Sequence, residues 1–238
     1  MVVSDQDFPP QSKGTGYNID LRQKPTNPYN NEKTSTLIAL SLVAFTANAQ
    51  SCPDNHHPHR IDLGLPTGTL WACCNVGATT PEAYGGYYAW GETKMKAIYN
   101  WSNYSHCEGP ENTCKMLGDI TGTQYDVAHV KWGGSWVMPS HDQINELLNN
   151  CTYEKATING VRGRKFTSKK NGSIIFLPTA GRRDDGTPIN VGFTSDYWSS
   201  TQGSSPKYAN DLYLVSSRAE MNFASECYNG YTVRPVSK

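Results

Sequence analysis

The chain has little charge and no excess of either sign. Only 18% of its 238 residues are charged, and 21 basic residues balance 21 acidic ones. No basic stripe runs along the sequence, so the electrostatic signature of a nucleic-acid-binding protein is missing. The 14 tyrosines, 6 tryptophans and 21 glycines are typical of a turn-rich β protein with an amphipathic, aromatic surface. We therefore expect no nucleic-acid partner.

Long apolar runs are also scarce, and only one stands out. Leu37–Phe45 is too short to span a bilayer, which needs about 20 apolar residues, so we expect no transmembrane helix. Lys33 precedes this run and the small residues 47–49 follow it, in the order of a secretory signal peptide. A buried core helix is the alternative. We predict a signal peptide over residues 33–49, and hence a secreted or cell-surface protein.

The remaining N-terminal residues carry no fold signal. Residues 1–32 are polar and without periodicity, which is typical of a disordered extension or of a start site placed too far upstream. Residues 50–58 are interpreted as a linker, which leaves residues 59–238 for a single domain. Cys52 leaves open a lipid anchor, although the aliphatic residue that usually precedes a lipidated cysteine is missing.

The sequence lacks the spacing of a metal site. Metal-binding residue types cluster in the linker, at Cys52, Asp54, His56, His57 and His59. A linker gives them no fixed geometry, and the spacing of a structural zinc site is missing. Residues 184–186 read as a charged turn, because a calcium loop needs at least about six oxygen ligands. We predict neither a metal nor a cofactor.

A catalytic constellation is missing as well. Cys73 and Cys74 are adjacent in a predicted strand, so their side chains should face opposite ways. The histidines at positions 106, 129 and 141 have no acidic partner at a recognisable spacing. Without a nucleophile, a base and an orienting group, the sequence predicts a protein that is not an enzyme.

Seven cysteines make an odd number, so at least one is free or pairs between chains. Export would permit disulfides. Cys107 and Cys114 enclose a short loop that contains Gly and Pro, and we predict a bridge between them. Cys151 ends the apolar stripe of a predicted helix and should face the core, where Cys74 is its candidate partner.

Capping and turn signals mark the regular elements. Ser140 and Gln143 form a capping box that begins a helix with an apolar stripe through Ile144 and Leu147. A shorter helix over about Asp126–Lys131 should end at Gly133. Strands are predicted around two turns, at residues 64–68 and 171–172, and over residues 196–200, 209–216, 220–224 and 231–236. Short antiparallel strands with two helices predict an α+β domain.

Several motifs occur in an order that resembles a known family. They are Asp62-Leu63-Gly64-Leu65-Pro66, Leu70-Trp71-Ala72, Asn75-Val76-Gly77-Ala78, Tyr87-Tyr88-Ala89-Trp90-Gly91-Glu92, Trp132-Gly133-Gly134-Ser135-Trp136, Met138-Pro139, Phe176-Leu177-Pro178, Tyr197-Trp198-Ser199-Ser200 and Gly230-Tyr231-Thr232-Val233-Arg234-Pro235-Val236. Over residues 59–238 the chain resembles the Fibrobacter succinogenes major paralogous domain family, which is common in Bacteroidetes surface proteins. The tryptophans of these motifs are expected in the core.

The resemblance implies a C-type-lectin-like fold, related to that of formylglycine-generating enzymes, in which the first and last strands pair. Some family members are variable proteins of diversity-generating retroelements, and their variable residues correspond here to Thr201–Tyr231. Four residues of this stretch depart from that pattern, because randomised asparagine codons do not encode them: Gln202, Lys207, Glu220 and Glu226. The resemblance therefore leaves open whether the stretch is diversified.

The same stretch supplies the candidate binding residues. Tyr, Ser and Asn combine contact area with adaptable hydrogen bonding, as in antibody loops. The candidates are Lys207, Tyr208, Asn210, Tyr213, Arg218, Asn222, Glu226, Tyr228, Asn229 and Tyr231. Alternation predicts that Leu212, Leu214, Met221 and Phe223 anchor the stretch in the core.

Three functions follow from these patterns. We expect an adhesin-like protein that binds a glycan or a surface protein of a neighbouring cell, phage or host. The alternative is a structural or tip subunit of a bacterial surface assembly, and a secreted enzyme ranks third.

Overall fold

The computed structural model describes residues 59–108, 113–215 and 217–238, all within one unit. The predicted extension, signal peptide and linker, with Cys52, His56 and His57, lie outside these ranges. In the ranges that are described, neither helix has the length and apolar character needed to cross a membrane.

Antiparallel strands dominate the described part of the chain. They are β1 (Arg60–Asp62), β2 (Leu70–Ala72), β3 (Cys107–Glu108), β4 (Thr113–Cys114), β5 (Cys151–Ile158), β6 (Val161–Ser168), β7 (Ile174–Pro178), β8 (Arg182–Asp184), β9 (Thr187–Ile189), β10 (Ser195–Gln202), β11 (Tyr208–Leu214), β12 (Ala219–Glu226) and β13 (Val236–Ser237). The helices are α1 (Val127–Trp132) and α2 (His141–Asn150), with a 3-10 turn at Trp101–Asn103. The predicted α+β class is confirmed.

The strands form small sheets rather than one large one. Three sheets have three strands each, in the orders β1-β2-β13, β5-β6-β7 and β10-β11-β12, and β3-β4 and β8-β9 are hairpins. The last strand pairs with β2, where Val236 lies opposite Trp71. The expected pairing of the first strand with the last is therefore wrong, because β2 lies between them.

Both predicted helices are confirmed at their caps. The Ser140 side chain accepts a hydrogen bond from the Gln143 backbone N–H, and the Gln143 side chain accepts one from the Ser140 N–H. Asp126 caps α1 by accepting from the His129 N–H, and Gly133 ends that helix with a φ of 65°. Each cap satisfies backbone donors that the first helical turn leaves without a partner.

Two apolar clusters make up the core. One contains Trp90, Trp132, Trp136 and Trp198, and the other contains Trp71, so the tryptophans of the motifs are buried as predicted. The helix α2 contributes Ile144 and Leu147 to the second cluster, which lies against one face of β10-β11-β12. That sheet therefore stands between the two clusters.

Asn-Gly turns shape the sheet β5-β6-β7. The predicted hairpin at Asn171-Gly172 joins β6 to β7, as expected. A second Asn-Gly pair, at residues 159–160, joins β5 to β6 with positive φ angles of 47° and 80°. Two consecutive positive φ angles are typical of a tight hairpin turn. The strand β5 lies outside the predicted strands, although this Asn-Gly pair signalled it.

Of the two predicted disulfides, one forms. Cys107 and Cys114 are bridged. Cys151 is a free, buried thiol in a different apolar cluster from Cys74, so the predicted bridge between those two is wrong. The strand β2 ends at Ala72, before Cys73 and Cys74, whose Sγ atoms lie 3.6 Å apart on a bend. Their predicted opposite orientation is wrong because the chain is no longer extended there.

Candidate functional site

The polar face of β10-β11-β12 contains much of the predicted binding stretch. Asp196 lies opposite Tyr213, and Trp198 lies opposite Asp211, so these four side chains share one face. The partners of Asp211 and Tyr213 on β12 are Asn222 and Glu220. The opposite face carries Leu212 and Leu214 into the core, as predicted.

The structure divides the ten predicted binding residues into three groups. One group is half-buried near one end of the β11-β12 hairpin and consists of Lys207, Tyr208, Glu226 and Tyr228. A second lies towards the β11-β12 turn and consists of Tyr213, Asn222 and the exposed Arg218, whose Nε is 2.7 Å from the Glu220 carboxylate. The third is buried and consists of Asn210, Asn229 and Tyr231.

The three residues of the buried group were expected at the surface as binding residues, and this expectation of exposure is wrong. Tyr231 stacks on Trp198 with 4.1 Å between ring centroids, and its hydroxyl donates to Ser225 Oγ at 3.3 Å. Asn210 is buried on β11, and Asn229 is buried shortly after the end of β12. Polar residues can be buried when neighbouring elements surround them, which a single strand pattern cannot reveal. The binding role of all three stays a prediction.

The expected burial of Phe223 is also wrong. Its side chain is 59% exposed, and its ring lies 5.1 Å from that of His141. The cause is a bulge. Ala209 pairs with Ser225 and Asp211 with Asn222, so β12 has one residue more than β11 between these pairs. The extra residue breaks the alternation on which the prediction rested.

The half-buried group packs against two aromatic residues that were not predicted as site residues, Trp101 and Tyr104. Trp101 packs edge-to-face against Tyr228, with ring centroids 4.8 Å apart, and against Tyr104 at 5.9 Å. Lys207 Nζ lies 5.6 Å from the Trp101 ring centroid, within the range of a cation–π contact. The Tyr228 hydroxyl donates to Glu226 Oε2 at 2.8 Å. We call these five residues the Trp101 cluster.

A signal for Trp101 was present in the sequence. It is the one tryptophan outside the motifs that resemble the family, where the other five form the core. It lies instead in the 3-10 turn, where the Asn100 N–H donates to Asn103 Oδ1 at 3.3 Å. The Trp101 ring is half-buried and packs against the first apolar cluster.

Two carboxylates on the polar face of β10-β11-β12, those of Asp196 and Asp211, are buried. Burial raises the pKa of Asp196 to about 7, against the attraction of Arg182. Burial, and then repulsion from Asp196, raises the pKa of Asp211 well above its usual range. Within the described residues, Asp196 Oδ2 and both Asp211 oxygens have no hydrogen-bond partner. The charged form of both carboxylates is disfavoured there, because burial removes a charge from water.

The cysteines Cys151 and Cys227 lack the properties of nucleophiles. Burial raises the pKa of Cys151 to about 11 and that of Cys227 to about 12, so both are thiols at neutral pH. A cysteine nucleophile needs a lowered pKa and an accessible sulfur. His59 Nδ1 lies 3.5 Å from Cys73 Sγ, but both Cys73 and its neighbour Cys74 are buried.

Across residues 59–108, 113–215 and 217–238, no group of three or more His, Cys, Asp or Glu side chains could hold a metal ion. The surface around the binding stretch presents aromatic rings, hydroxyls and charged side chains. No protein-family model, curated protein or solved structure matches the chain.

Proposed function

We propose that the protein is an exported, non-enzymatic binding protein with a C-type-lectin-like fold, which binds a glycan or a surface protein through the Trp101 cluster. The single observation that carries this proposal is the packing of half-buried Trp101 and Tyr228 between the opposite charges of Lys207 and Glu226. Aromatic rings with polar neighbours are the residues that dominate binding energies at interfaces.

Contacts within the cluster hold its side chains in place. The edge-to-face contacts fix the rings, and the bond from Tyr228 to Glu226 fixes its hydroxyl. A ligand would therefore lose little of its binding energy in ordering these side chains, a cost of about 0.5–1.5 kcal/mol for each mobile one. The strands β11 and β12 supply the rigid support on which binding residues are usually displayed.

The order of the motifs supports the proposed family and fold, and the burial of the five motif tryptophans is compatible with both. Export rests on the signal-peptide pattern before residue 50. The half-buried positions of Tyr208 and Tyr213 suit a stretch that tolerates variation, as in the retroelement-diversified members of that family.

The experiment is a glycan array, combined with binding to isolated bacterial and host surface proteins, for the wild type, Trp101→Ala and Tyr228→Ala. Each variant should lose about 2 kcal/mol of binding free energy, or roughly 30-fold in affinity. Tyr153→Ala is the matched control, because Tyr153 is an exposed tyrosine on β5 outside the cluster. Equal binding by all four proteins, at unchanged melting temperatures, would refute the role of the cluster.

A structural subunit is the second candidate, and one observation favours it. In the described sheet order, β12 is an edge strand, and it carries the exposed Phe223. An edge strand with an exposed aromatic residue is a common place for another chain to add. Sedimentation would distinguish the two functions, since a subunit should self-associate and Phe223→Asp should abolish this association.

A further inference from the structure

The β5-β6 hairpin has two faces that differ in charge. On one face, Glu154 lies opposite Lys165, and their side chains form an ion pair. On the other face, Lys155 lies directly opposite Arg164, and Arg162 follows across from Thr157. Like charges directly opposite each other on neighbouring strands are destabilising. The second face is therefore unfavourable by itself.

We call this second face, with Lys155, Arg162 and Arg164, the cationic face. It lines a cavity of about 460 Å³. Arg164 is only 5% exposed, its Nη2 donates to the Val215 carbonyl, and its Nε has no partner among the described residues. Phe193 is 68% exposed at the cavity, and the Arg162 guanidinium lies 5.8 Å from its ring centroid. Thr179, whose hydroxyl donates to the Arg162 carbonyl at 2.7 Å, also lines the cavity.

No carboxylate of the described residues forms an ion pair with Lys155, Arg162 or Arg164. Other cations of the same unit do have such partners, as Lys96 has Glu92 and Lys115 has Glu108. Three cations around one cavity thus keep an uncompensated positive potential, which low-dielectric walls concentrate.

We propose that this cavity binds the carboxylate or sulfate group of an acidic saccharide. An arginine fork matches the geometry of such an anion, and Lys155 adds a point charge beside it. The exposed ring of Phe193 offers an apolar surface against which the C–H face of a sugar can pack, while Thr157 supplies a hydroxyl. A small cavity with a few convergent polar groups is the usual form of a small-ligand site.

The surroundings of the cavity suit an extended ligand. Phe193 also lines a second cavity, of about 580 Å³, with Tyr84, Tyr87 and Arg183. The Arg183 guanidinium lies 4.9 Å from the centroid of the Tyr87 ring, and both residues line a third cavity of about 280 Å³. Cationic and aromatic groups therefore line three cavities that adjoin through shared residues, and we call them together the groove. An acidic oligosaccharide could therefore extend beyond a single bound sugar.

A nucleic acid is the less favoured occupant. The chain has no net charge, and the cations of this site surround a cavity instead of forming a stripe that follows a phosphate backbone. The inference goes beyond the proposed function, because the groove shares no residue with the Trp101 cluster. A result that refutes binding at one of the two sites would therefore not refute binding at the other.

The test is titration calorimetry of the full chain with two probes, an oligogalacturonate and a heparin-derived tetrasaccharide. The methyl ester of the oligogalacturonate is the uncharged control. We expect at least one acidic probe to bind about tenfold more tightly than the ester. Binding of only the first probe would assign the site to carboxylates, and binding of only the second would assign it to sulfates.

Variants locate the binding. Arg162→Gln, Lys155→Gln and Phe193→Ala should each weaken it about tenfold at an unchanged melting temperature or a raised one. Lys165→Gln is the matched control, because Lys165 lies on the other face of the same strand, and it should bind as the wild type does. The proposal is overturned if neither acidic probe exceeds the ester, if Arg162→Gln binds as tightly as the wild type, or if duplex DNA binds as tightly as the saccharides.

Discussion

Arg234 donates a hydrogen bond from Nε to Oδ1 of Asn75 at 2.7 Å, deep inside the protein. The rest of its guanidinium donates to backbone carbonyls, among them those of Ala72 at 3.1 Å and Phe176 at 2.9 Å. One side chain near the end of the chain thus holds the loop after β2 and the strand β7 together. Its charge is dispersed over several carbonyl dipoles in a site that is only 1% exposed.

Replacing Arg234 should therefore be costly. Arg234→Met should lower the free energy of unfolding by at least about 3 kcal/mol, because several buried acceptors lose their donor at roughly 1–3 kcal/mol each. Arg218→Met is the control, since Arg218 is exposed, and it should change stability by no more than about 0.5 kcal/mol. Urea unfolding of both variants measures the difference, and equal midpoints would contradict this account of Arg234.

The bridge between Cys107 and Cys114 should stabilise the protein mainly by restricting the unfolded chain. Its sequence separation of 7 corresponds to a contribution of about 2–3 kcal/mol by loop entropy. The double variant Cys107→Ser/Cys114→Ser should melt at the same temperature with and without reductant. The wild type should melt at a higher temperature than the double variant when reductant is absent. With reductant, the two proteins should melt at the same temperature. Finding both thiols free by non-reducing peptide mapping would count against the bridge.

Stability should fall as the pH rises from about 4 to about 7. Burial raises the pKa of Asp196 to about 7, so the folded state keeps a proton that the unfolded state has released above about pH 4. The contribution of Asp196 to the free energy of unfolding is therefore largest below about pH 4. Between about pH 4 and pH 7 it declines by about 1.4 kcal/mol per pH unit. Unfolding of wild type and Asp196→Asn at several pH values tests this. An equally steep decline in the variant would exclude Asp196 as the cause.

The bulge in β12 predicts different roles for two apolar residues of neighbouring strands. Phe223→Ala should cost less than about 1 kcal/mol of stability, because the ring is 59% exposed. Leu212→Ala should cost about 2–5 kcal/mol, because that side chain is 1% exposed. Thermal melts of the two variants measure both effects. If Phe223→Ala were as destabilising as Leu212→Ala, the register of β11 and β12 would be wrong.

Removing a charge from the cationic face should stabilise the protein in the absence of ligand. Lys155→Gln relieves the repulsion from Arg164 on the opposite strand and should gain about 0.2–1 kcal/mol. The gain should shrink in high salt, where charges are screened. Lys165→Gln should show no gain, because it loses the ion pair with Glu154. A lower melting temperature for Lys155→Gln would contradict the account.

Local signals predicted local structure correctly. The caps at Ser140 and Asp126 and the hairpin at Asn171-Gly172 depend on a few adjacent residues, so the sequence reveals them directly. The Cys107–Cys114 bridge is similar, since its two residues lie close together in the chain. Tryptophan burial was predictable because large apolar side chains have few alternatives to the core.

The binding residues were harder to predict, because exposure depends on distant partners. Tyr231 is buried by Trp198, which belongs to another strand, and Phe223 is exposed by a bulge that only the pairing of β11 with β12 reveals. The cationic face could not be inferred at all without β5. The pairing of β5 with β6 places Lys155 opposite Arg164, and only this pairing brings the two cations together on one surface.

The pairing of β13 with β2 has a consequence for the order of folding. Trp71 acquires its neighbour Val236 only after almost all of the described chain has been synthesised. The hairpin of β1 and β2 is synthesised early, and one edge of β2 has no partner strand until β13 has been synthesised. Contacts between residues so far apart slow folding, so completion of the sheet β1-β2-β13 should be a late step.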